Sequence, residues 1–343
     1  MSLLFVDGFD HYATADINKK WDSLGGTPVI VSTAGRRNTG RMETASSEYV
    51  QKNITQGDSF VVGFAFKVFG APANNRRIVS FLDGVNSQCE LFIATDASLF
   101  IARNGTSISG SVSSATLLIN EWNYIEWKVT IANSIASNSC IVRLNGSEII
   151  NVAAGQDLQN TANAYANRIR FGPDSLNSST VSFDDLYVCN QSGSTNNDFL
   201  GDCRVDTLYP DADGFYTDGT PSTGSDHYPL VDETPVSTTD FVSLAAIGDR
   251  DSYSFTSLPA LAGQVVYGVQ ALAATDKDDS GLISAATFVR SGVSPAVNQD
   301  GAGTALSTGY TFLRDIYEEN PDTSTAWDRD TVNAAEFGVV VTA

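Results

Sequence analysis

The stretch "VSFDDLYV" (181–188) decides how the first half of the chain folds. Its alternating apolar residues are typical of a β-strand with a buried face. Two adjacent carboxylates, Asp184 and Asp185, interrupt the pattern. Because side chains alternate along a strand, we expect the two carboxylates to point to opposite faces of the sheet. The buried one must then be paired, hydrogen-bonded or metal-bound, since a lone buried carboxylate is costly.

The rest of the first half repeats this strand pattern. Short apolar and polar alternations are separated by turn residues and helical periodicity is almost absent, which predicts an all-β sandwich. The longest stretch, "EWNYIEWKVTIA" (121–132), places Tyr124 and Glu126 on one face of a strand and Trp127 on the other. The Asn-Gly pair of "VRLNG" (142–146) predicts a hairpin.

The second half shows the strand pattern again after a change of composition. Residues 191–237 are rich in turn formers yet contain many aromatic residues, which indicates an ordered, loop-rich connector packed against a domain. We therefore predict a first sandwich over 1–190, this connector, and a second, smaller antiparallel β-sandwich domain over 238–343. The stretch "AWDRDTVNAAEFG" (326–338) predicts one short helix before the final strand.

Charge divides the chain at the same place. The whole chain has 20 basic and 40 acidic residues, a net charge of -20. Residues 1–190 carry a net charge of -3 and the remainder carries -17. Such an acidic protein repels a phosphate backbone, so we expect no nucleic-acid partner. We also expect no membrane insertion, because no run of about 18 apolar residues occurs.

The four cysteines give no sign of a metal site. Cys89, Cys140, Cys189 and Cys203 show no CxxC spacing, and the chain has two histidines, so a zinc site is not expected. We interpret the cysteines as reduced thiols in a protein made in a reducing cytoplasm; a Cys189–Cys203 bridge is the alternative. The opening "MSLLFVDGFDHY" (1–12) lacks the basic and apolar regions of a secretion signal.

Three pieces of the first half resemble the concanavalin A-like, laminin-G-type jelly roll. They are "DGFD" (7–10), a Trp-bearing strand followed by "VRLNG" (142–146), and the closing "FDDLYV" (183–188). The resemblance covers roughly residues 1–190. It implies that the last strand lies beside the first, which makes DGFD and FDDLYV neighbours.

This resemblance also favours a structural calcium ion, because related jelly rolls often carry one. The ion would lie between Asp7 or Asp10 and Asp184 or Asp185, since calcium prefers clusters of oxygen atoms. The alternative is that the buried carboxylate accepts hydrogen bonds from backbone amides of the first strand or from a neighbouring arginine. We expect no other cofactor.

Jelly rolls of this type also raise the question of glycan chemistry. Trp122 and Tyr124 are candidate glycan-binding residues, because aromatic rings stack on sugars; core packing is the alternative interpretation. Glu121 and Glu126 come nearest to the paired carboxylates of a glycoside hydrolase, but five residues apart they fall on opposite faces of a strand. Neither histidine lies in a nucleophile motif. The sequence therefore predicts no catalytic residue and no enzyme.

Taken whole, the chain resembles a group of tailed-bacteriophage structural proteins. The resemblance implies a non-enzymatic virion component (head decoration or fibre, collar, or tail) that is synthesised in the host bacterial cytoplasm. Its partners would be other virion proteins, and a homo-oligomer such as a trimer is compatible with it. The alternative function is a glycan-binding host-recognition module for a cell-surface glycan; a glycan-cleaving enzyme ranks third. The matching stretches include "KKW" (19–21), "VVGFAFKV" (61–68), "WNYIEWKVTI" (122–131), "NNDFLGDCRVDTLYPDADG" (196–214) and "AWDRDTVNAAEFGVVV" (326–341).

Overall fold

The computed structural model describes residues 2–152, 155–173, 180–293 and 295–343. Across these residues the chain is nearly all β and forms several antiparallel sheets, which confirms the predicted fold class. Two compact units are present, Met1–Val205 and Asp206–Ala343. The segment 191–237, predicted as a connector, is divided between them at residue 205.

The first unit is built from fifteen strands, one short helix and two 3-10 turns within the described residues. The strands are β1 Leu3–Asp7, β2 Ser23–Gly25, β3 Val29–Val31, β4 Arg41–Thr44, β5 Tyr49–Gly57, β6 Ser59–Val68, β7 Arg76–Asp83, β8 Asn86–Ile93, β9 Ser98–Arg103, β10 Thr106–Thr116, β11 Asn123–Thr130, β12 Ser139–Leu144, β13 Ser147–Val152, β14 Ala166–Phe171 and β15 Val181–Asn190. The helix α1 is Ile17–Lys20, and the 3-10 turns are Thr14–Asp16 and Ile135–Ser137.

These strands form two sheets packed face to face. Sheet A has the order β13-β12-β11-β6-β15-β4-β3, with β1 also paired to β15, and sheet B has the order β10-β9-β8-β7-β14-β5-β2. Aromatic side chains from both inner faces interdigitate: the rings of Phe81 and Trp127 are 5.1 Å apart, and those of Phe64 and Phe171 are 5.7 Å apart. Burial of these rings is the main favourable term for the sandwich.

The local predictions for this unit hold. Strand β1 pairs with β15, with Asp7 opposite Leu186, so the first and last strands are neighbours. The hairpin between β12 and β13 turns at Asn145 and Gly146, whose φ angles of +49° and +82° suit an Asn-Gly turn. Trp127 lies in the core between the sheets, as the alternation of its strand predicts.

Residues 199–205, which we call the strap, run over the outer face of sheet A. The strap's backbone N–H groups donate to three side chains of the sheet: Leu200 to Tyr187 Oη at 3.1 Å, Gly201 to Glu126 Oε1 at 2.8 Å, and Val205 to Asp185 Oδ1 at 2.9 Å. The ring of Phe199 lies 4.0 Å from the Arg143 guanidinium. This first part of the predicted connector is therefore ordered and packed.

The second unit has a six-stranded sheet and three two-stranded ribbons within the described residues. Its strands are β16 Pro210–Thr217, β17 Thr220–Pro221, β18 Val242–Ser243, β19 Arg250–Phe255, β20 Val269–Thr275, β21 Ser284–Ser291, β22 Val297–Asp300, β23 Thr304–Ala305, β24 Thr311–Tyr317, β25 Glu319–Asn320, β26 Thr325–Ala326 and β27 Glu336–Val341. A 3-10 turn covers Tyr228–Leu230, and the helix α2 covers Arg329–Ala334.

The six-stranded sheet has the order β16-β19-β27-β21-β22, with β23 also paired to β21, and the ribbons are β17-β18, β20-β24 and β25-β26. Val289 and Phe337 of the large sheet share a buried cluster with Ala271 of the β20-β24 ribbon and Trp327. The predicted helix before the last strand is present as α2, capped by Asp328. No helix in the described ranges is long and apolar enough to span a membrane.

Candidate functional site

Asp184 and Asp185 lie at a bulge in β15. The pairing of β15 with β6 shifts register after Asp184, and Asp185 has a left-handed φ of +48°. A bulge redirects side chains, and here both carboxylates face one loop. The backbone N–H of Arg36 donates to Asp184 Oδ2 at 2.7 Å, and Arg36 Nη1 lies 3.3 Å from Asp185 Oδ2. The expectation that the two point to opposite faces is therefore wrong.

Two of the four predicted calcium ligands are already surrounded by donors. Asp7 accepts hydrogen bonds from Phe9 N at 2.9 Å, Tyr12 Oη at 2.8 Å, Trp21 Nε1 at 3.1 Å and Lys20 Nζ at 3.1 Å. Asp185 accepts from Val205 N at 2.9 Å and lies 3.3 Å from Arg36 and 3.6 Å from Arg37. Amides and cations at these distances leave no place for a metal ion, so Asp7 and Asp185 do not fit as ligands.

Asp10 and Asp184 also accept hydrogen bonds from backbone amides: Gly40 N donates to Asp10 Oδ1, and Asp185 N donates to Asp184 Oδ1 at 2.8 Å in addition to the Arg36 amide. Burial, together with nearby Asp185, raises the pKa of Asp184 to about 8. Burial also raises the pKa of Asp10 to about 6. A methyl group at Gly35 would lie 2.9 Å from Asp184 Oδ2, and one at Gly40 would lie 2.9 Å from Asp10 Oδ1, so the backbone at both glycines is packed closely against the carboxylates.

Backbone oxygen atoms approach the same place: that methyl group at Gly40 would contact the carbonyl of Phe9, and the one at Gly35 would contact the carbonyl of Gly40. Carboxylate and carbonyl oxygens are the ligands that calcium takes. Backbone amides already donate to both carboxylates, so a calcium ion at Asp10 and Asp184 stays a prediction that the structure does not favour. The described residues contain no group of three or more His, Cys, Asp or Glu side chains placed to hold a metal, so the ion would depend on these two carboxylates and on carbonyl groups.

The predicted glycan-binding pair is not an open aromatic platform. Tyr124 is 2% exposed, the Arg36 guanidinium lies 5.0 Å from its ring centre, and its hydroxyl donates to the Asp185 carbonyl at 3.2 Å. A buried ring presents no face to a sugar, so Tyr124 packs and positions the 36–37 loop instead. Trp122 is half-buried in the turn before β11.

The outer face of sheet B carries a continuous row of polar and small side chains, which we call the polar row. Cross-strand pairing brings one residue from each of the seven strands into line: Ser23, Gln51, Arg170, Ser80, Glu90, Ala102 and Ser107. With neighbouring strands about 4.8 Å apart, the row spans roughly 29 Å across the sheet. The alternate residues Val50, Leu91 and Ile169 point into the core. Within the row itself, the four members on β5, β7, β8 and β9 are also buried, whereas the members on β2 and β14 are half-buried and the one on β10 is exposed.

Hydrogen bonds fix the β2 end of the polar row. The Gln51 side-chain amide lies 2.6 Å from Ser23 Oγ. With its oxygen turned to Arg170, the same amide accepts from Arg170 Nε at 2.7 Å and Nη2 at 2.6 Å. At the centre, Ser80 is fully buried, and its hydroxyl has no hydrogen-bond partner in the described part of the chain. An unmet buried hydroxyl costs about 1–3 kcal/mol.

Aromatic rings flank the polar row on the outer face. The Tyr49 ring covers Gly25 of β2, where an added methyl group would lie 2.6 Å from Tyr49 Cδ1. The guanidinium of Arg170 lies 4.3 Å from the centre of that ring. Farther along the row, Phe92 of β8 stacks on Phe100 of β9, with ring centres 5.1 Å apart. Tyr49 and Phe92 are half-buried, so parts of both rings remain open to solvent.

A concave pocket lies at the β10 end of the row. Its lining includes Ser107 of the row, Arg103 and Asp157, which form an ion pair, and Asn160. The loop that carries Asp157 and Asn160 is fixed to sheet B, because Asn160 N donates to Gln88 Oε1 at 2.8 Å. The row therefore leads from the Tyr49 ring into a polar pocket.

No direct signal for the polar row is visible in the sequence. Its members are separated by up to 147 positions, from Ser23 to Arg170, and none belongs to a recognised motif. The alternation of polar and apolar residues within "YVQKN" (49–53) and "RIR" (168–170) indicates two strands with one polar face each, but not that these faces lie side by side. Strand register, which the sequence did not supply, is what aligns these residues.

The second unit holds a buried histidine–carboxylate pair. His227 Nδ1 lies 2.8 Å from Asp251 Oδ2, and both side chains are buried. The same carboxylate oxygen accepts from Gly219 N at 3.1 Å, and Asp213 accepts from His227 N at 2.9 Å. Burial raises the pKa of Asp251, and its hydrogen bond with His227 opposes that rise. The pair ties the 219–227 segment to β19.

Comparison with known proteins gives similarity at the level of fold. No family model and no curated protein matches the chain. Among solved structures, a mutant alginate lyase in complex with alginate trisaccharide has 10% identity and a TM-score of 0.39, over 55% of this chain and 98% of its own. A carbohydrate esterase from the Shiga toxin-encoding bacteriophage phi24B has 17% identity and a TM-score of 0.37, over 54% and 99%. A Trypanosoma rangeli sialidase has 9% identity and a TM-score of 0.34, over 47% and 26%.

These comparisons correct one prediction. The sequence predicted that the chain is not an enzyme, yet the similar structures include a lyase, a carbohydrate esterase and sialidases. The jelly roll therefore gives no reason to exclude catalysis.

Proposed function

We propose that the first unit binds a glycan chain along the polar row of sheet B. The observation that carries this proposal is the row itself, to which all seven strands contribute a small or polar side chain. Sugar hydroxyl groups both donate and accept hydrogen bonds, which matches the Ser and Arg side chains of the row that keep exposed surface. Partly open aromatic rings such as Tyr49 supply apolar surface for the sugar faces.

The dimensions of the row favour a polymer. A site of about 29 Å that crosses every strand is far longer than one sugar ring. The fixed 156–160 loop and the pocket beside Ser107 close one end, while the Tyr49 ring marks the other. An extended oligosaccharide laid across the strands would contact the row members that keep exposed surface, Ser23, Arg170 and Ser107.

The test compares the polar row with the site that the sequence predicted. The full chain is screened on a glycan array and then titrated against the best binder. Tyr49→Ala should weaken binding about tenfold, because loss of one well-packed aromatic contact costs about 1–2 kcal/mol. Trp122→Ala, the matched control, should leave affinity within twofold. The reverse result would place the glycan on the β11 side and refute the proposal. The same incubations are read for bond cleavage, which decides between binding and turnover.

We further propose that this glycan binding serves a tailed-bacteriophage virion. The support is the resemblance of the whole chain to phage structural proteins, including "NNDFLGDCRVDTLYPDADG" (196–214). In that setting the chain is made in the host cytoplasm, assembles with other virion proteins as a homo-oligomer, and contacts a cell-surface glycan. An antibody against the chain should label intact purified particles. Particles that lack the chain by mass spectrometry would end this part of the proposal.

A further inference from the structure

The outer face of sheet B concentrates positive charge, although the chain as a whole is strongly acidic. Arg77, Arg168 and Arg170 gather on this face beside the polar row. Glu90 offsets part of their charge through an ion pair with Arg77 Nη1 at 2.5 Å. A cationic cluster on an acidic protein requires a specific explanation, because it does not follow from composition.

Neutral side chains hold two of these guanidinium groups in place. Asn53 Oδ1 accepts from Arg168 Nε at 2.8 Å, and the Gln51 amide contacts Arg170 at 2.6–2.7 Å. Amide oxygens orient a guanidinium without cancelling its charge. The Tyr49 ring, 4.3 Å from Arg170, further restricts that side chain. Both groups are half-buried, so each keeps part of its surface for a ligand.

The arginines also repel one another. Burial lowers the pKa of Arg170 and the charge of Arg77 lowers it further, while Tyr49 and Glu90 oppose that shift and Arg168 adds a smaller lowering. A bound anion would reverse this effect, because an opposite charge favours the protonated guanidinium. The cluster is therefore electrostatically prepared for an anionic group.

The spacing of Arg168 and Arg170 indicates where that group lies. Two residues apart on one strand, they project from the same face about 7 Å apart along the strand direction. The polar row runs across the strands and passes through Arg170. Arg168 therefore lies beside the row, close to the sugar unit that would contact Arg170. The two guanidinium groups can then bind one planar oxyanion between them. Guanidinium groups match a carboxylate with paired hydrogen bonds.

We propose that the polar row selects a glycan bearing carboxylate groups, such as a uronic-acid polymer, with Arg168 and Arg170 as the residues that recognise the carboxylate. This inference rests on the proposed glycan binding. Denser polyanions, such as nucleic acids, are disfavoured by the net charge of -20. A sulfated polysaccharide shares the oxyanion chemistry and is separated from a carboxylate by the experiment.

The experiment titrates the full chain against polygalacturonate, alginate and hyaluronate, each beside the same polymer with its carboxylates reduced to alcohols. Dextran sulfate and neutral dextran complete the panel. At least one carboxylated polymer should bind about tenfold or more tightly than its reduced form, since one charge-assisted hydrogen bond is worth roughly 1.5–3 kcal/mol. Binding should weaken as salt is raised.

Variants test the assigned residues. Arg170→Gln and Arg168→Gln should each lose about tenfold for the carboxylated polymer and little for its reduced form. Lys67→Gln removes the same charge from the outer face of sheet A and should bind like the wild type. Thermal unfolding shows whether each variant is folded. Because two arginine variants are made, the test remains possible if one of them fails to fold.

Each outcome has a definite meaning. Equal binding of a polymer and its reduced form, or stronger binding of dextran sulfate, overturns the carboxylate inference and leaves glycan binding standing. Equal losses in all three variants overturn the assignment of Arg168 and Arg170. Failure of the whole panel, neutral members included, together with a blank glycan array, ends the proposed function itself.

Discussion

Tyr187 joins sheet A to the strap, and removing its hydroxyl should destabilise the first unit. The hydroxyl donates to Glu126 Oε1 at 2.6 Å and accepts from Leu200 N at 3.1 Å. Glu126 and Tyr187 are 1% and 2% exposed, so water does not replace these bonds. In Tyr187→Phe the buried carboxylate loses a donor, at about 1.5–3 kcal/mol, and the Leu200 amide loses an acceptor, at about 0.5–1.5 kcal/mol. We expect a loss of about 2–4 kcal/mol in total.

Urea unfolding followed by Trp fluorescence and by circular dichroism measures this loss. Tyr124→Phe is the matched control, because its hydroxyl donates to a neutral carbonyl, that of Asp185, and not to a carboxylate, so its loss should cost about 1 kcal/mol. For a unit of this size each kcal/mol lowers Tm by roughly 2–4 °C, so the two variants are separable by heating. A Tyr187→Phe loss below about 0.5 kcal/mol, or one equal to that of Tyr124→Phe, would refute the view that the strap is held by buried polar contacts.

Three further predictions concern the carboxyl groups of Asp10 and Asp184 and the β2 edge of sheet B. Because burial raises the pKa of Asp184 to about 8, the folded chain keeps a proton on this carboxyl that the unfolded chain releases near pH 4. Without metal, the stability that this proton contributes is therefore lost as pH rises from about 4 through 8. Asp184→Asn should flatten this fall in Tm, and wild-type and variant curves of Tm against pH that run parallel would contradict the prediction. If calcium binds beside Asp10 and Asp184, adding it at pH 8 should raise the Tm of the wild type by several degrees and leave the Tm of Asp184→Asn unchanged. A rise of less than about 1 °C in the wild type would show that no calcium ion is bound there. Gly25→Ala should displace the Tyr49 ring and weaken glycan binding, while unchanged affinity would show that this ring does not touch the ligand.

Local patterns in the sequence were enough for the strands, whereas the partner of the last strand came from the resemblance to a jelly roll. Alternation in 121–132 correctly placed Trp127 on the face opposite to Glu126, and Asp7 of DGFD does pair with Leu186 of FDDLYV. The bulge at Asp185 could not be predicted in this way, because alternation assumes regular pairing and a single residue with positive φ changes the direction of its side chain.

The candidate site was less predictable than the fold for a related reason. Short stretches of sequence point to Trp122 and Tyr124 as glycan-binding residues, because these two aromatic residues are close in sequence. Gln51, Ser80 and Arg170 come from three separate strands and become neighbours through register alone. Register depends on packing of the entire sheet, so a single sequence does not display it.

The strap decides where the first unit can be cut from the rest of the chain. Composition suggests cleavage after residue 190, where the last strand of the sandwich ends. A fragment ending there would leave the carboxylates of Glu126 and Asp185 facing solvent, deprived of the amide donors that residues 201 and 205 provide. An autonomous fragment for crystallisation or display should therefore run to Val205, and the fifteen added residues act as part of the folding unit although they form no strand.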